Sequence, residues 1–146
     1  MTKLFMLHGV NHNLFGKRDP KQYGMTTLDE INENIQELAN ELSIEVETFQ
    51  TNHEGEMVEK IHEAFLTGAD GVVLNAGAWT HYSYAIRDAL DVLTVPIVEI
   101  HMSNIHSREE FRKKSVFSDI VTGQISGFGA ESYLLGIRAA VAAAQK

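Results

Sequence analysis

The sequence predicts one three-layer α/β domain over residues 1–146: a doubly wound, five-stranded parallel sheet with helices on both faces. Three observations predict it. Short apolar runs alternate with amphipathic helical patterns five times over. No internal repeat, linker or low-complexity tract interrupts the alternation. A chain of 146 residues with 44% hydrophobic content is large enough for one buried core.

"KLFMLHG" (3–9) reads as a buried strand. In "TLDEINENIQELANEL" (27–42), Leu28, Ile31, Ile35, Leu38 and Leu42 recur at three- and four-residue steps and make one helical stripe. Thr27 and Glu30 form a capping-box pattern at its start. "IEVETFQ" (44–50) alternates like a strand, and "EGEMVEKIHEAFL" (54–66) is helical with Val58, Ile61 and Phe65 inward. "GVVLNAG" (71–77) is a strand, "HYSYAIRDALDVL" (81–93) a helix and "VPIVEIH" (95–101) a strand. A short "SREEFRKK" helix, with Ser107 and Glu110 as a second capping box, precedes a weaker strand in "DIVTGQISG" (119–127). "GAESYLLGIRAAVAAAQ" (129–145) closes the chain as a helix.

Composition excludes several function classes. No stretch approaches the ~20 apolar residues of a membrane span, and the N-terminus lacks a signal-peptide pattern. A soluble, cytoplasmic protein is expected. The chain has no cysteine, so disulfides, thiolate catalysis and zinc–thiolate sites are out. A net charge of −8 without a basic stripe argues against nucleic acid. "GVNHNLFG" after the first strand is neither a dinucleotide nor a triphosphate fingerprint. No G-x-S-x-G elbow is present, and none of the lysines lies within an apolar strand to serve as a Schiff-base carrier.

In an open parallel sheet, ligands bind beyond the C-terminal ends of the strands. Asn11, Arg18, Tyr23, Asn75, His81, His101, Ser103 and Asn104 all follow strand ends, whereas the opposite rim has no comparable set. The loop "GKRDPKQYG" (16–24) is bounded by glycines and carries Arg18 and Tyr23. A phenol is a poor base at neutral pH. A cation about 4 Å from a phenolate is worth about 4 kcal/mol at an effective dielectric of ~20, enough to make a phenol a usable base. Arg18 is the nearest such cation, and closure of the loop would bring both onto a substrate. A surface arginine with a tyrosine packed on the domain is the plainer alternative. His101 closes strand 4, and Glu99, two residues before it on the same strand face, is placed to orient it as a general acid; a strand-end histidine bonded to a backbone carbonyl is the alternative. Asn75 and His81 frame the turn "NAGA", whose N–H groups suit a carboxylate, although such turns also arise for steric reasons alone.

Five ordered blocks, "NHNLFGKRDPKQYG", "QTNHEGE", "LNAGAWTHYSYAIRDAL", "VEIHMSNIHSREEFRKKS" and "GQISGFGAESYLLGIRA", closely resemble the type II 3-dehydroquinate dehydratases. The resemblance implies a flavodoxin-like fold, trimers assembled into dodecamers, and no metal or cofactor. It implies elimination of water from 3-dehydroquinate through an enolate to give 3-dehydroshikimate, in the shikimate or quinate pathway. Tyr23 would remove the C2 proton, activated by Arg18. His101, oriented by Glu99, would protonate the departing C1 hydroxyl. Asn11 would hold a water that stabilises the enolate oxygen. Asn75, His81 and the backbone at Met102 and Ser103 would bind carboxylate and hydroxyls, Arg112 a ring hydroxyl, and Asp88 would approach a neighbouring subunit's site.

The chain departs from the family pattern after strand 1. It reads "HGVNHN" where members usually read "NGPNLN", so His8, Val10 and His12 replace an asparagine, a proline and a small or apolar residue. Slower or pH-shifted dehydration is expected. Two rival readings are a catalytically impaired homologue that binds a related polyhydroxy acid and a metal-dependent hydrolase built on His8, His12 and His101. His53 and His62 are expected in solvated or packing roles. Trp79 is expected to line a subunit contact in preference to shaping the site, and Tyr84, Phe128 and Tyr133, read as exposed apolar groups, are compatible with subunit contacts.

Overall fold

In the computed structural model, which describes residues 1–146, five strands form one parallel sheet in the order β2-β1-β3-β4-β5. They are β1 (Lys3–His8), β2 (Glu45–Gln50), β3 (Gly71–Asn75), β4 (Ile97–His101) and β5 (Gly123–Ser126). The chain steps outward from β1 to β2, then crosses back to β3 on the other side of β1. That reversal opens a crevice between the loops leaving β1 and β3, where ligands bind in this architecture.

Buried on both faces, β3 reads as a near-continuous apolar run rather than an alternating one, and β4 is equally buried although it carries Glu99 and His101. Alternate side chains feed two cores. Leu4, Met6, Val73 and Ile100 pack with Ile31, Ile35, Tyr133 and Ile137 from α2 (Leu28–Leu42) and α5 (Glu131–Ala144). Phe5, Leu7, Val72 and Leu74 pack on the opposite face with Met57, Ile61, Ile86 and Leu90 from α3 (Glu54–Leu66) and α4 (Tyr84–Asp91). The result is the expected three-layer, flavodoxin-like sandwich. No helix is long and apolar enough to cross a membrane.

The capping box of α2 forms as the sequence predicts. The Glu30 N–H donates to Thr27 Oγ1 at 3.2 Å, and the Thr27 N–H donates to Glu30 Oε1 at 3.4 Å. The second predicted box does not form. Asn104 caps instead, accepting the His106 N–H at 3.1 Å, while the Ser107 hydroxyl donates to the Asn104 carbonyl at 2.9 Å and Glu110 pairs with Lys113. Two short 3-10 turns, Ile105–Ser107 and Glu110–Lys113, replace the helix, because Arg108 between them is extended and turns its side chain inward. The predicted helix 81–93 is likewise divided. Residues Gly77–His81 form a 3-10 turn, and α4 begins only after Ser83, whose hydroxyl accepts the Ile86 N–H. The glycine-bounded loop 16–24 contains one helical turn, α1 (Pro20–Tyr23), with proline in its first turn and Asp19 as its cap.

Three aromatic residues differ from expectation: Phe65, read as inward, is 46% exposed, and Met57, Ile61 and Ala64 make the buried face of α3 instead. Tyr133 is fully buried, on the face of α5 that packs against the sheet, and Trp79 is 4% exposed within the core beneath the 3-10 turn. Neither is available to a partner subunit. Tyr84 and Phe128 are exposed as expected.

Candidate active site

The loop between β1 and the 3-10 turn His12–Leu14 is anchored before it carries any chemistry. Gly9 donates its N–H to the Asn75 carbonyl at 2.8 Å, and a Cβ at Gly9 would lie 2.5 Å from the Ala76 carbonyl oxygen. Only glycine fits that seam. Asn11 is left-handed, φ 69°, and its N–H donates to Asn52 Oδ1 at 2.8 Å. The tether from Asn52 substitutes for the rigidity that a proline at position 10 would supply.

A cavity of about 110 Å³ lies at this end of the sheet. Asn11, Arg18, Tyr23, Asn75, His81, His101, Met102, Ser103 and Arg112 line it, so nine of the predicted site residues converge. Glu99 stands behind His101. Asn104 turns away to cap its 3-10 turn, and Asp88 is exposed on α4, apart from the cavity.

The loop carrying Arg18 and Tyr23 runs between Gly16 and Gly24, both at positive φ (92° and 72°), a conformation that glycine adopts without strain. Within it the Arg18 guanidinium donates from Nη2 to Tyr23 Oη at 3.0 Å and lies 3.9 Å from the ring centroid. The two side chains that the sequence places five positions apart are therefore in direct contact. Arg108 adds a second cation, 5.2 Å from the same ring centroid, and donates from Nη1 to Ser103 Oγ at 3.1 Å. Its buried Nε has no hydrogen-bond partner. Sequence reasoning missed Arg108 because it lies in the charge run "SREEFRKK", which resembles a solvated helix face. The signal was Ser107–Arg108 following the β4 end at the same rim.

On the other wall, Glu99 is 0% exposed. Its Oε2 is 2.6 Å from His101 Nε2, and its Oε1 accepts from the Ser115 hydroxyl at 2.8 Å. Both carboxylate oxygens are satisfied, so the charge is buried without being orphaned. With Nε2 committed to Glu99, His101 has Nδ1 left for the cavity. Asn75 is fixed in orientation: its Nδ2 donates to Tyr133 Oη at 2.8 Å and its Oδ1 accepts the Gly77 N–H at 3.3 Å. Burial pushes the Tyr133 phenol further up, so it stays neutral. His81 donates from Nδ1 to the Lys114 carbonyl at 2.7 Å. Burial holds its pKa below the ordinary range, against the effect of that hydrogen bond.

The imidazoles of the departing segment are both buried. His8 donates from Nε2 to Asn32 Oδ1 at 2.8 Å, and burial lowers its pKa to about 4. His12 accepts the Gly9 N–H at Nδ1 at 3.0 Å and lines the cavity. Burial, with His8, Arg18 and His101 nearby, keeps it well below the usual imidazole range. His8, His12 and His101 thus face three different partners and do not converge as a ligand set.

The cavity wall contains three arginines and no carboxylate, in a chain of net charge −8. Against the acidic background this is a local basin for a small anion. Fold and site together define a flavodoxin-like α/β protein with a phenol–guanidinium pair and a carboxylate–imidazole pair on opposing walls. The model of the family described as Dehydroquinase class II matches residues 2–141. The 3-dehydroquinate dehydratase of Leptothrix cholodnii is 60% identical over 94% of this chain and 93% of its own length. That of Syntrophotalea carbinolica is 62% identical over 96% and 95%. The crystal structure of the type II dehydroquinase from Butyrivibrio crossotus superposes with a TM-score of 0.94 at 42% identity, covering 96% of this chain and 97% of that one. The chain belongs to the class II dehydroquinases.

Proposed function

We propose that this protein is a 3-dehydroquinate dehydratase of the shikimate pathway, working by anti elimination through an enolate. The observation that carries the reading is the pairing of Arg18 with Tyr23 across a cationic cavity from Glu99 with His101. A proton α to a ketone is weakly acidic, so its removal needs a base and stabilisation of the enolate together. Tyr23, as phenolate held by Arg18, takes the C2 proton. His101, oriented by Glu99, delivers a proton to the C1 hydroxyl as it leaves. Asn11 holds a water on the enolate oxygen. Asn75, His81 and the backbone at Met102 and Ser103 bind the carboxylate and hydroxyls, and Arg112 a ring hydroxyl. Arg108 adds positive charge above Tyr23.

The same reading places the protein in the cytoplasm as a homo-oligomer of trimers assembled into a dodecamer. Exposed Asp88 on α4 then reaches a neighbour's site. The experiment is direct. Incubation of the purified chain with 3-dehydroquinate should raise the ultraviolet absorbance of the conjugated enone, and Tyr23→Phe should abolish the rise. Saturable binding without turnover would leave a polyhydroxy-acid binding protein in its place, and a Tyr23→Phe variant at full speed would remove the proposed base.

A further inference from the structure

We propose that His12 is a catalytic hydrogen-bond donor, its Nε2–H directed at the substrate carbonyl oxygen that becomes the enolate. The inference rests on the dehydratase reading above. It starts from the tautomer. The Gly9 N–H is shared between the Asn75 carbonyl at 2.8 Å and His12 Nδ1 at 3.0 Å; because Nδ1 accepts from it, the ring proton is on Nε2. Nε2 donates to no protein atom, yet it is not among the sealed, unpartnered polar atoms of the interior. On a residue only 2% exposed that lines the cavity, this nitrogen opens onto the cavity itself.

The ring cannot swing away. It stacks on Phe15 at 4.6 Å between centroids with an interplanar angle of 18°, and Phe15 in turn leans on Tyr23 at 5.9 Å. A Cβ on Gly77 would sit 3.0 Å from Nε2, so any side chain there would crowd this edge of the ring. An apolar residue, as in the family pattern, would present no donor here.

The chemistry selects the target. A carboxylate in this cavity already has permanent cations in Arg18, Arg108 and Arg112. A neutral imidazole adds little to a charge present throughout the reaction. It adds most where charge appears only in the transition state, because a fixed dipole needs no reorganisation at that moment. Burial and the neighbouring Arg18 and His101 keep the ring neutral, so it acts as an electrophile and gives up no proton. Asn11, the residue before His12, also lines the cavity.

The test compares wild type, His12→Leu, His12→Gln and Tyr23→Phe as full chains, with protiated and C2-deuterated 3-dehydroquinate. His12→Leu should lower kcat about 10- to 100-fold, somewhat below the ~10²–10³ of a full oxyanion-hole donor, with KM within about twofold. Its C2 isotope effect should rise as enolate formation becomes more limiting, and His12→Gln, which restores an N–H donor, should recover most of kcat. His12→Met repeats the test if the leucine variant melts early. An unchanged kcat, or a lowered kcat with an unmoved isotope effect, overturns the assignment. Absence of wild-type turnover would instead sink the dehydratase reading itself, and a fully active Tyr23→Phe would remove the proposed base while leaving that reading in place.

Discussion

Acidification should destabilise this protein through His8, and the size of the effect follows from its surroundings. In the unfolded chain His8 has an ordinary imidazole pKa near 6.5; in the fold, burial brings it to about 4. Between those values the unfolded state binds the extra proton, so stability rises with pH and is lost on acidification. The contribution is fully present above pH ~6.5 and lost as pH falls through about 4. The gap corresponds to about 3 kcal/mol, most of it already lost at about pH 4.5. Urea unfolding at neutral pH and at about pH 4.5 reads it directly, as a midpoint lower by about 1–2 M for a typical small-protein slope. Carboxylates and the buried His12 add slopes of their own, so the decisive comparison is His8→Asn. That variant loses the 2.8 Å bond to Asn32 and starts from a lower baseline, but its stability should change with pH by about 2–3 kcal/mol less than wild type. Identical pH dependence in the two proteins would show that the buried imidazole does not titrate as argued.

Two further outcomes follow from the geometry. Glu99→Gln keeps the shape behind His101 but removes the charge that orients the ring, and should lower kcat by about 10²–10⁴ with little change in KM; steady-state kinetics check it. Gly9→Ala forces a Cβ to within 2.5 Å of the Ala76 backbone and should cost about 2–4 kcal/mol, read by thermal or denaturant unfolding.

The β-α alternation was legible because each strand is either a continuous apolar run or bounded by a helix with one apolar stripe. The pairing of Glu99 with His101 was legible for a similar reason: residues two apart on a strand share a face. Arg18 and Tyr23 were readable as a pair only because glycines bracket them so closely. What the sequence concealed has physical causes. In α5, "YLLGIRAAVAAA" is apolar around much of its circumference, so the side on which Tyr133 lies is decided by packing, not by pattern. Trp79 sits in a 3-10 turn that has no periodicity to mark an inward side. Arg108 is one cation among several, and only the extended backbone between two short turns distinguishes it from its neighbours. His12 looked like a departure from pattern; its tautomer is set by a contact with Gly9 that composition cannot express.

The seam at Gly9 has a wider consequence. Where two crossover loops touch backbone to backbone, the chain has no room for chemical novelty at the point of contact. Change is displaced to the flanks, and positions 8, 10 and 12, where this chain carries His, Val and His, are where it appears. The hinge of the pocket is therefore rigid while its upholstery is replaceable, a division of labour that lets a protein retune its reaction without redrawing its frame.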